Sequence, residues 1–350
     1  MRIFIFVLIL IFAFHKNIFA SENFNSTYET NYLNIDIESQ NVSEEKIIEI
    51  DKIKFLSLYE ILNRILNKKN LNKFKREINL NKEINNLIKN LNIENEFISI
   101  NKYSAKIKVN FYKEQIINLL RNYKINYSDI SIHNLLLLSY ISNDITEEGL
   151  SKNNVFYKKF FVEKSGLLNF SYPDLSPNDR FILPYNKLEN ISLNNLYKIS
   201  QKYNSSYVII LDIDENQINN DFELSIYSSI NNEIIDSYNF KIKKDLSYNI
   251  NIISIIDEWW KNLIIVDNSK INKQICRIKN DNIHELYFII SKLNSISQIK
   301  SLQLVSIDYG KNLYELIYYG DTSILSLNLS NNKILNNNLS NNACLLLLDI

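Results

Sequence analysis

IHELYFIISKLNSISQIKSLQLVSIDYGKNLYELIYYG, residues 283–320, sets the architecture of the last part of this 350-residue chain. IHELYFIISKLNSI reads as a helix. IKSLQLVSIDYG and KNLYELIYYG read as two strands of a hairpin turned at Gly310. Upstream, QICRIK (274–279) is a strand. Downstream, DTSILSLNLSNN (321–332) is a helix capped by Asp321, and ACLLLLDI (343–350) is a final strand. The order βαββαβ is that of the ferredoxin-like split βαβ. Residues 269–350 are therefore expected to form a ferredoxin-like domain.

The middle stretch, residues 130–268, is richer in strands. NLLLLSYI (134–141) and SYVIILDI (206–213) are continuous apolar runs, as expected of strands covered on both faces. Phe222, Leu224 and Ile226 alternate, Asn231-Asn232 make a turn, and Tyr238, Phe240 and Ile242 alternate again, which predicts a β-hairpin. NNVFYKKFFVEK (153–164) predicts an amphipathic helix with Phe156, Phe160 and Phe161 as its apolar contacts. Ser192 caps another helix, and Ile252, Ile256, Trp259 and Leu263 mark a third. Between the first two helices lies SYPDLSPNDRFILP (171–184), which holds all three prolines of the chain: Pro173, Pro177 and Pro184. Proline fixes φ and removes a backbone donor, so this stretch is neither helix interior nor central strand.

Residues 21–129 read as an α+β unit. YLNIDIE (32–38) alternates as a strand. Ser43, Glu44 and Glu45 open a helix whose stripe is Ile47, Ile50, Leu58, Ile61, Leu62 and Ile65. A second helix fits residues 82–91. EFISI and AKIKVNF follow as strands, the latter with Ile107, Val109 and Phe111 on its inner face, and KEQIINLLRNY closes the unit as a helix. The whole chain is thus expected to be α+β, three small sandwiches in series.

The first 20 residues differ from the rest. MRIFIFVLILIFAFHKNIFA has a basic start, a short apolar run and a small residue at Ala20, the pattern of a secretory signal peptide cleaved after Ala20. The run is short for a bilayer span, which needs about 20 apolar residues. An uncleaved anchor is the alternative, and it is the only membrane contact the sequence suggests. Removing residues 1–20 takes away Arg2 and Lys16, leaving 37 basic against 39 acidic residues. That balance argues against a nucleic-acid partner, which calls for a basic face. The expected location is the periplasm.

No catalytic signature and no metal or cofactor motif is present. Four glycines, at 149, 166, 310 and 320, leave no room for a phosphate-binding loop. The histidines beyond the leader, His133 and His284, lack the partners of a nucleophilic triad, and His284 reads as a solvated helix start. DIDEN (212–216) lacks the Gly and distal Glu of a calcium loop. The basic run at Lys68–Lys69 and Lys73–Arg76 reads as a solvated face. Two features remain. Cys276 and Cys344 fall on the first and last strands of the C-terminal domain, taken as antiparallel neighbours. They are either buried thiols or a disulfide, which an exported compartment allows and which stabilises by up to about 4 kcal/mol. Trp259 and Trp260 are adjacent, so one is expected to be buried. The other packs against a neighbouring domain or anchors a partner.

VNFYKEQIINLL, YNSSYVIILDI, IDEWWKNL and, above all, the run from HELYFIISKL to LIYYGDTSILSLNL resemble the proteobacterial exported family called domain of unknown function 2066. Tyr287 or Phe288 stands where that family usually has a Trp. The family also has a proline-bearing loop in its middle domain, and that domain resembles TolB-like accessory modules. The resemblance implies a periplasmic cell-envelope protein without enzyme activity that binds an unidentified envelope protein. The surface it suggests is Pro173, Pro177, Pro184, Trp259 and Trp260. The alternative is a small-molecule-binding regulator that uses the ferredoxin-like domain.

Overall fold

The computed structural model describes residues 27–348 apart from 79–82, 133, 142–163, 175, 185–190, 216–218, 244–247, 308–310 and 341–342. The leader, His133, the turn at Gly310 and residues 153–163 of the helix expected at 153–164 lie outside the described residues, and Lys164 begins a short strand. The described chain is mixed α/β with three separate sheets.

The first sheet has the order β1-β3-β2, built from β1 (Leu33–Glu38), β2 (Ile88–Ile98) and β3 (Lys102–Phe111). β3 sits in the centre and buries every second residue along its whole length: Tyr103, Ala105, Ile107, Val109 and Phe111. Helix α1 (Val42–Ile65) lies across that face with Ile53, Leu58, Ile61, Leu62 and Ile65 inward. Its N-cap is Asn41, whose side chain accepts from the Glu44 amide. Ile47, expected in the stripe, is exposed at the outer end of the helix, and Ile53 takes a core place. Helices α2 (Lys68–Glu77), α3 (Ile84–Leu87) and α4 (Lys113–Asn122) complete the unit. The helix expected at 82–91 is only the single turn α3. From Ile88 the chain pairs with β3 instead, because Leu91 and Ile93 stand opposite Val109 and Ile107 on the sheet's apolar face. Cross-strand packing here overrides a helical pattern of only a few residues.

The second sheet runs β5-β6-β4-β7-β8-β9. Its strands are β4 (Leu135–Ile141), β5 (Lys164–Ser165), β6 (Leu168–Ser171), β7 (Tyr207–Glu215), β8 (Asn219–Ser228) and β9 (Glu233–Lys243). β4 is flanked by β6 and β7, parallel to both, and β8–β9 is an antiparallel hairpin. Leu135 and Leu137 join one buried cluster with Ile252, Ile256 and Trp259 of α7 (Tyr248–Leu263). Leu136 and Leu138 join another with Leu196 and Ile199 of α6 (Leu193–Lys202). Cover on both faces is why the two central strands are unbroken apolar runs. Leu263, expected inward, is partly exposed, and Trp260 is buried instead.

The third sheet has the order β11-β12-β10-β14-β13. It comprises β10 (Ile271–Lys279), β11 (Ile299–Ser306), β12 (Lys311–Tyr319), β13 (Ile334–Ser340) and β14 (Ala343–Leu348), with α8 (Ile283–Ser295) and α9 (Thr322–Asn331). The β10-β12-β11 half follows the split βαβ pattern. The other half corrects the expected four-stranded domain. ILNNNLS forms a fifth strand at the edge, and β14 enters between it and β10, parallel rather than antiparallel to β10. Asparagine disfavours strands, so this segment carried no strand signal of its own. Cys276 and Cys344 stand directly opposite in that parallel pair, with Cα atoms 4.5 Å apart, and are joined in a disulfide. Asp321 is at the N-cap position of α9, but its carboxylate pairs with Lys270 rather than with the helix amides. Gly320 has φ +69°, and a Cβ there would approach the Asp267 amide to 3.0 Å, so a side chain at this crossing is both strained and crowded, which favours glycine.

The three sheets are clasped together. One buried cluster runs from Tyr28 through β3 and α7 to Val266, so the first two sheets share a core. Asp129 accepts from Tyr28 Oη at 3.0 Å and from Ser297 Oγ at 2.7 Å. This links the first unit to the last. Burial, then the Asp129 carboxylate, holds the Tyr28 phenol well above its ordinary pKa. The Arg121 guanidinium lies 4.2 Å over the Tyr319 ring across the same seam. Among the described residues no helix is long and apolar enough to cross a membrane.

Candidate functional site

SYPDLSPNDRFILP begins as the end of β6 and becomes a short helix, α5 (Pro177–Ile182). Its sequence explains the change. Ser176 is the N-cap, Pro177 occupies the first turn where no amide donor is required, and Asp179 stands at the third position. The Ser176 hydroxyl accepts from the Asp179 amide at 3.4 Å, and the Asp179 carboxylate accepts from the Ser176 amide at 3.3 Å. This is a capping box with Asp in place of Glu.

The same carboxylate ties the turn to α6. Asp179 is buried, with Lys202 Nζ at 2.6 Å from one oxygen and Tyr203 Oη donating to the other at 2.7 Å. Tyr203 Oη accepts in turn from the Asp174 amide at 2.6 Å. Burial raises the Asp179 pKa, but the bonds from Lys202 and Tyr203 outweigh it and hold the carboxyl below its usual range. Burial, reinforced by Asp179, pushes the Tyr203 phenol up to about 12 against the opposing Asp174 amide. Leu183 closes the turn by packing with Leu196, Ile199 and Tyr227.

The prolines therefore divide by role. Pro173 is buried and Pro184 half-buried, at the two ends of the strap, while Pro177 is exposed at its crest. The outward side of α5 presents Pro177, Arg180 and Phe181, the last 83% exposed. Helix α6, against which α5 packs, adds Leu193 and Tyr197, each partly open to solvent. The turn that carries this ring is braced by an ion pair whose carboxylate, Asp179, is buried and whose ammonium, Lys202, reaches solvent. Phe181 was missed from sequence. Its signal is the capping box at 176–179, which fixes Asp179 and Leu183 inward and leaves Phe181 on the opposite side.

The tryptophans belong elsewhere. Both are buried, which removes them from any surface. Helix α7 lies at the seam, so adjacent positions find different apolar neighbours. Tyr207 meets both rings edge-on, at 5.4 Å from Trp259 and 5.8 Å from Trp260. Trp260 Nε1 donates to the Ile130 carbonyl at 2.8 Å.

The remaining candidates resolve as structure. His284 is exposed at the start of α8. The basic run forms α2, with Phe74 and Asn70 buried, and the Glu258 carboxylate accepts from its first amide at 3.1 Å. Asp212 lines a cavity of about 430 Å³ with Asp221, Phe222, Glu223, Asn239, Phe240 and Lys241. Lys241 pairs with Asp221 at 3.1 Å there. Among the described residues no three His, Cys, Asp or Glu side chains come together as metal ligands.

No family model matches the chain, and no curated protein matches it. Partial structural likenesses exist. TolB from Acinetobacter baumannii is 14% identical with a TM-score of 0.25, over 38% of this chain and 29% of that one. The C-terminal domain of LpoB from Salmonella enterica is 12% identical with a TM-score of 0.21, over 37% of this chain and 95% of that one. The lipoprotein GNA1162 from Neisseria meningitidis is 8% identical with a TM-score of 0.24, over 36% of this chain and 95% of that one. The match thus spans under a third of TolB, and scores this low do not establish a shared fold.

Proposed function

We propose that this chain is an exported, periplasmic cell-envelope protein that works by binding another envelope protein, without catalysis of its own. The observation that carries the reading is Phe181, 83% exposed on a turn braced from within by Asp179, Lys202 and Tyr203. Covering a large apolar ring with a partner removes its surface from water, which favours association. Such a ring, held on a short rigid turn, has the character of a hot spot: little ordering is lost when it is covered. The leader-like first 20 residues support export, and so does the Cys276–Cys344 disulfide, which an oxidising compartment sustains.

The test is chemical crosslinking in the intact envelope, then capture of the chain and mass spectrometry, for the wild type and for Phe181→Ala. The reading expects one reproducible crosslinked protein that is lost in Phe181→Ala while the melting temperature holds. A partner retained by Phe181→Ala, or no partner in the wild type, sinks it.

A further inference from the structure

The third sheet is not held with equal strength across its width. β10 and β12 face each other over nine residue pairs, from Ile271 opposite Tyr319 to Lys279 opposite Lys311. β14 meets β10 over four, from Ile275 opposite Ala343 to Ile278 opposite Leu346. It runs parallel there, which is the weaker pairing per residue. β13 lies outside β14 and has no other neighbour among the described strands. Its centre is Asn336, Asn337 and Asn338, residues that disfavour strands. β13 and β14 are therefore one hairpin attached to the sheet along a single short ladder. The Cys276–Cys344 disulfide crosses that ladder at its second pair.

The two sides of the ladder have separate supports. The hairpin gives the domain core Ile334, Cys344 and Leu346, whereas β10 and β12 give it Cys276, Ile278, Tyr314, Leu316 and Tyr318. Helix α9 packs over β13 but is fastened from elsewhere. Its Ile324 belongs to the core shared by the first two sheets. Its Asn328 donates to the side chain of buried Gln298 at 2.8 Å, and its Asn331 donates to the Ser131 carbonyl at 3.2 Å. None of these contacts passes through the hairpin. Lifting β13 and β14 thus leaves α9 in place and opens to water the side that packed on β13. A two-stranded hairpin without its sheet is marginal in water, so both strands lose their order together.

We propose that the Cys276–Cys344 bridge is a redox-sensitive latch. While it is closed, the β13–β14 hairpin opens only with the rest of the domain. Once it is cut, the hairpin opens by itself. The closed bridge bars local opening because it keeps the two Cα atoms within about 7 Å, too close for β14 to leave β10. The cut is thiol–disulfide exchange with a dithiol. One thiolate of the dithiol attacks a bridge sulfur, the S–S bond breaks, and the other cysteine leaves as thiolate. The second thiol of the dithiol then displaces the first cysteine. The bridge gains two electrons and two protons, and the reductant departs as a disulfide. Both cysteines are buried, so a dithiol reaches the closed latch only when the domain parts around it.

The test is amide hydrogen exchange, read by mass spectrometry on the purified chain before and after reduction with dithiothreitol. With the bridge closed, residues 334–340 and 343–348 are expected to exchange in step with β12. With it cut, they are expected to exchange at least about tenfold faster than β12 in the same sample. Comparing the hairpin with β12 separates local opening from a loss of stability in the whole domain. A hairpin that exchanges far ahead of β12 while the bridge is closed overturns the proposal. So does one that stays in step with β12 after reduction, or a loss of protection in β11, β12 and the hairpin together. Cys276→Ala with Cys344→Ala removes the bridge without a reductant and must give the same local pattern.

Discussion

The seam around Trp260 and the turn around Phe181 are built from the same kind of residue and do opposite things. Tyr207 meets Trp259 and Trp260 edge to face between layers, the two indoles lie tilted to each other, and the indole N–H of Trp260 is satisfied by a backbone carbonyl 130 positions away. Phe181 touches solvent over most of its surface. The first region spends its aromatic area on holding two sheets together. The second spends polar interactions on holding one ring out. If the exposed ring serves the proposed contact, stability and recognition are separable in this molecule, and mutations should divide along that line.

The largest effect belongs to the seam. Trp260→Ala removes a buried indole and orphans the Ile130 carbonyl, so it should cost about 3–5 kcal/mol in chemical denaturation. A loss under about 1 kcal/mol would mean that the two sheets do not depend on this contact. Next is the disulfide. Cys276→Ala with Cys344→Ala should lose between about 2 and 4 kcal/mol, read as an earlier urea midpoint, because the bridge closes a long loop. The brace under Phe181 comes third. Asp179→Ala strands a half-buried tyrosine hydroxyl and leaves Lys202 to solvent, and should cost about 1–2 kcal/mol.

The pH dependence of that brace has a definite sign. The folded-state pKa of Asp179 lies below its unfolded value. Its contribution is therefore fully present above about pH 4 and is lost as pH falls through the lower folded value. The difference in melting temperature between wild type and Asp179→Asn should shrink on acidification. A difference that grows there would reverse the assignment. The smallest effect on stability is Phe181→Ala, expected within about 0.5 kcal/mol of wild type. In binding the order inverts, and the same change should weaken partner capture by roughly 30-fold or more. A destabilisation of Phe181→Ala comparable to that of Trp260→Ala would erase the contrast between the regions.

Much of the fold was legible because local pattern and tertiary demand agreed. β7 is an unbroken apolar run because α6 and α7 cover both its faces. The β8–β9 hairpin keeps its alternation because only one face meets the core. The failures came where a segment's fate was set by its neighbours. Ile88–Ile98 became a strand because β3 offered an apolar edge. Ile334–Ser340 became one because β14 needed an outer partner. Of the site, the prolines were visible and Phe181 was not, since nothing in a proline count tells which side of a turn faces water.

By itself the sequence determined the helices and strands with strong periodicity, the near balance of acidic and basic residues, and the concentration of prolines at 171–184. Those follow from side-chain chemistry along a single stretch of chain. Only the tertiary structure decided that β14 runs parallel to β10 with the cysteines opposite, that both tryptophans are buried, and that Asp179 turns Phe181 outward. Each is a contact between residues far apart in sequence, and its free energy depends on which surfaces the other elements leave uncovered.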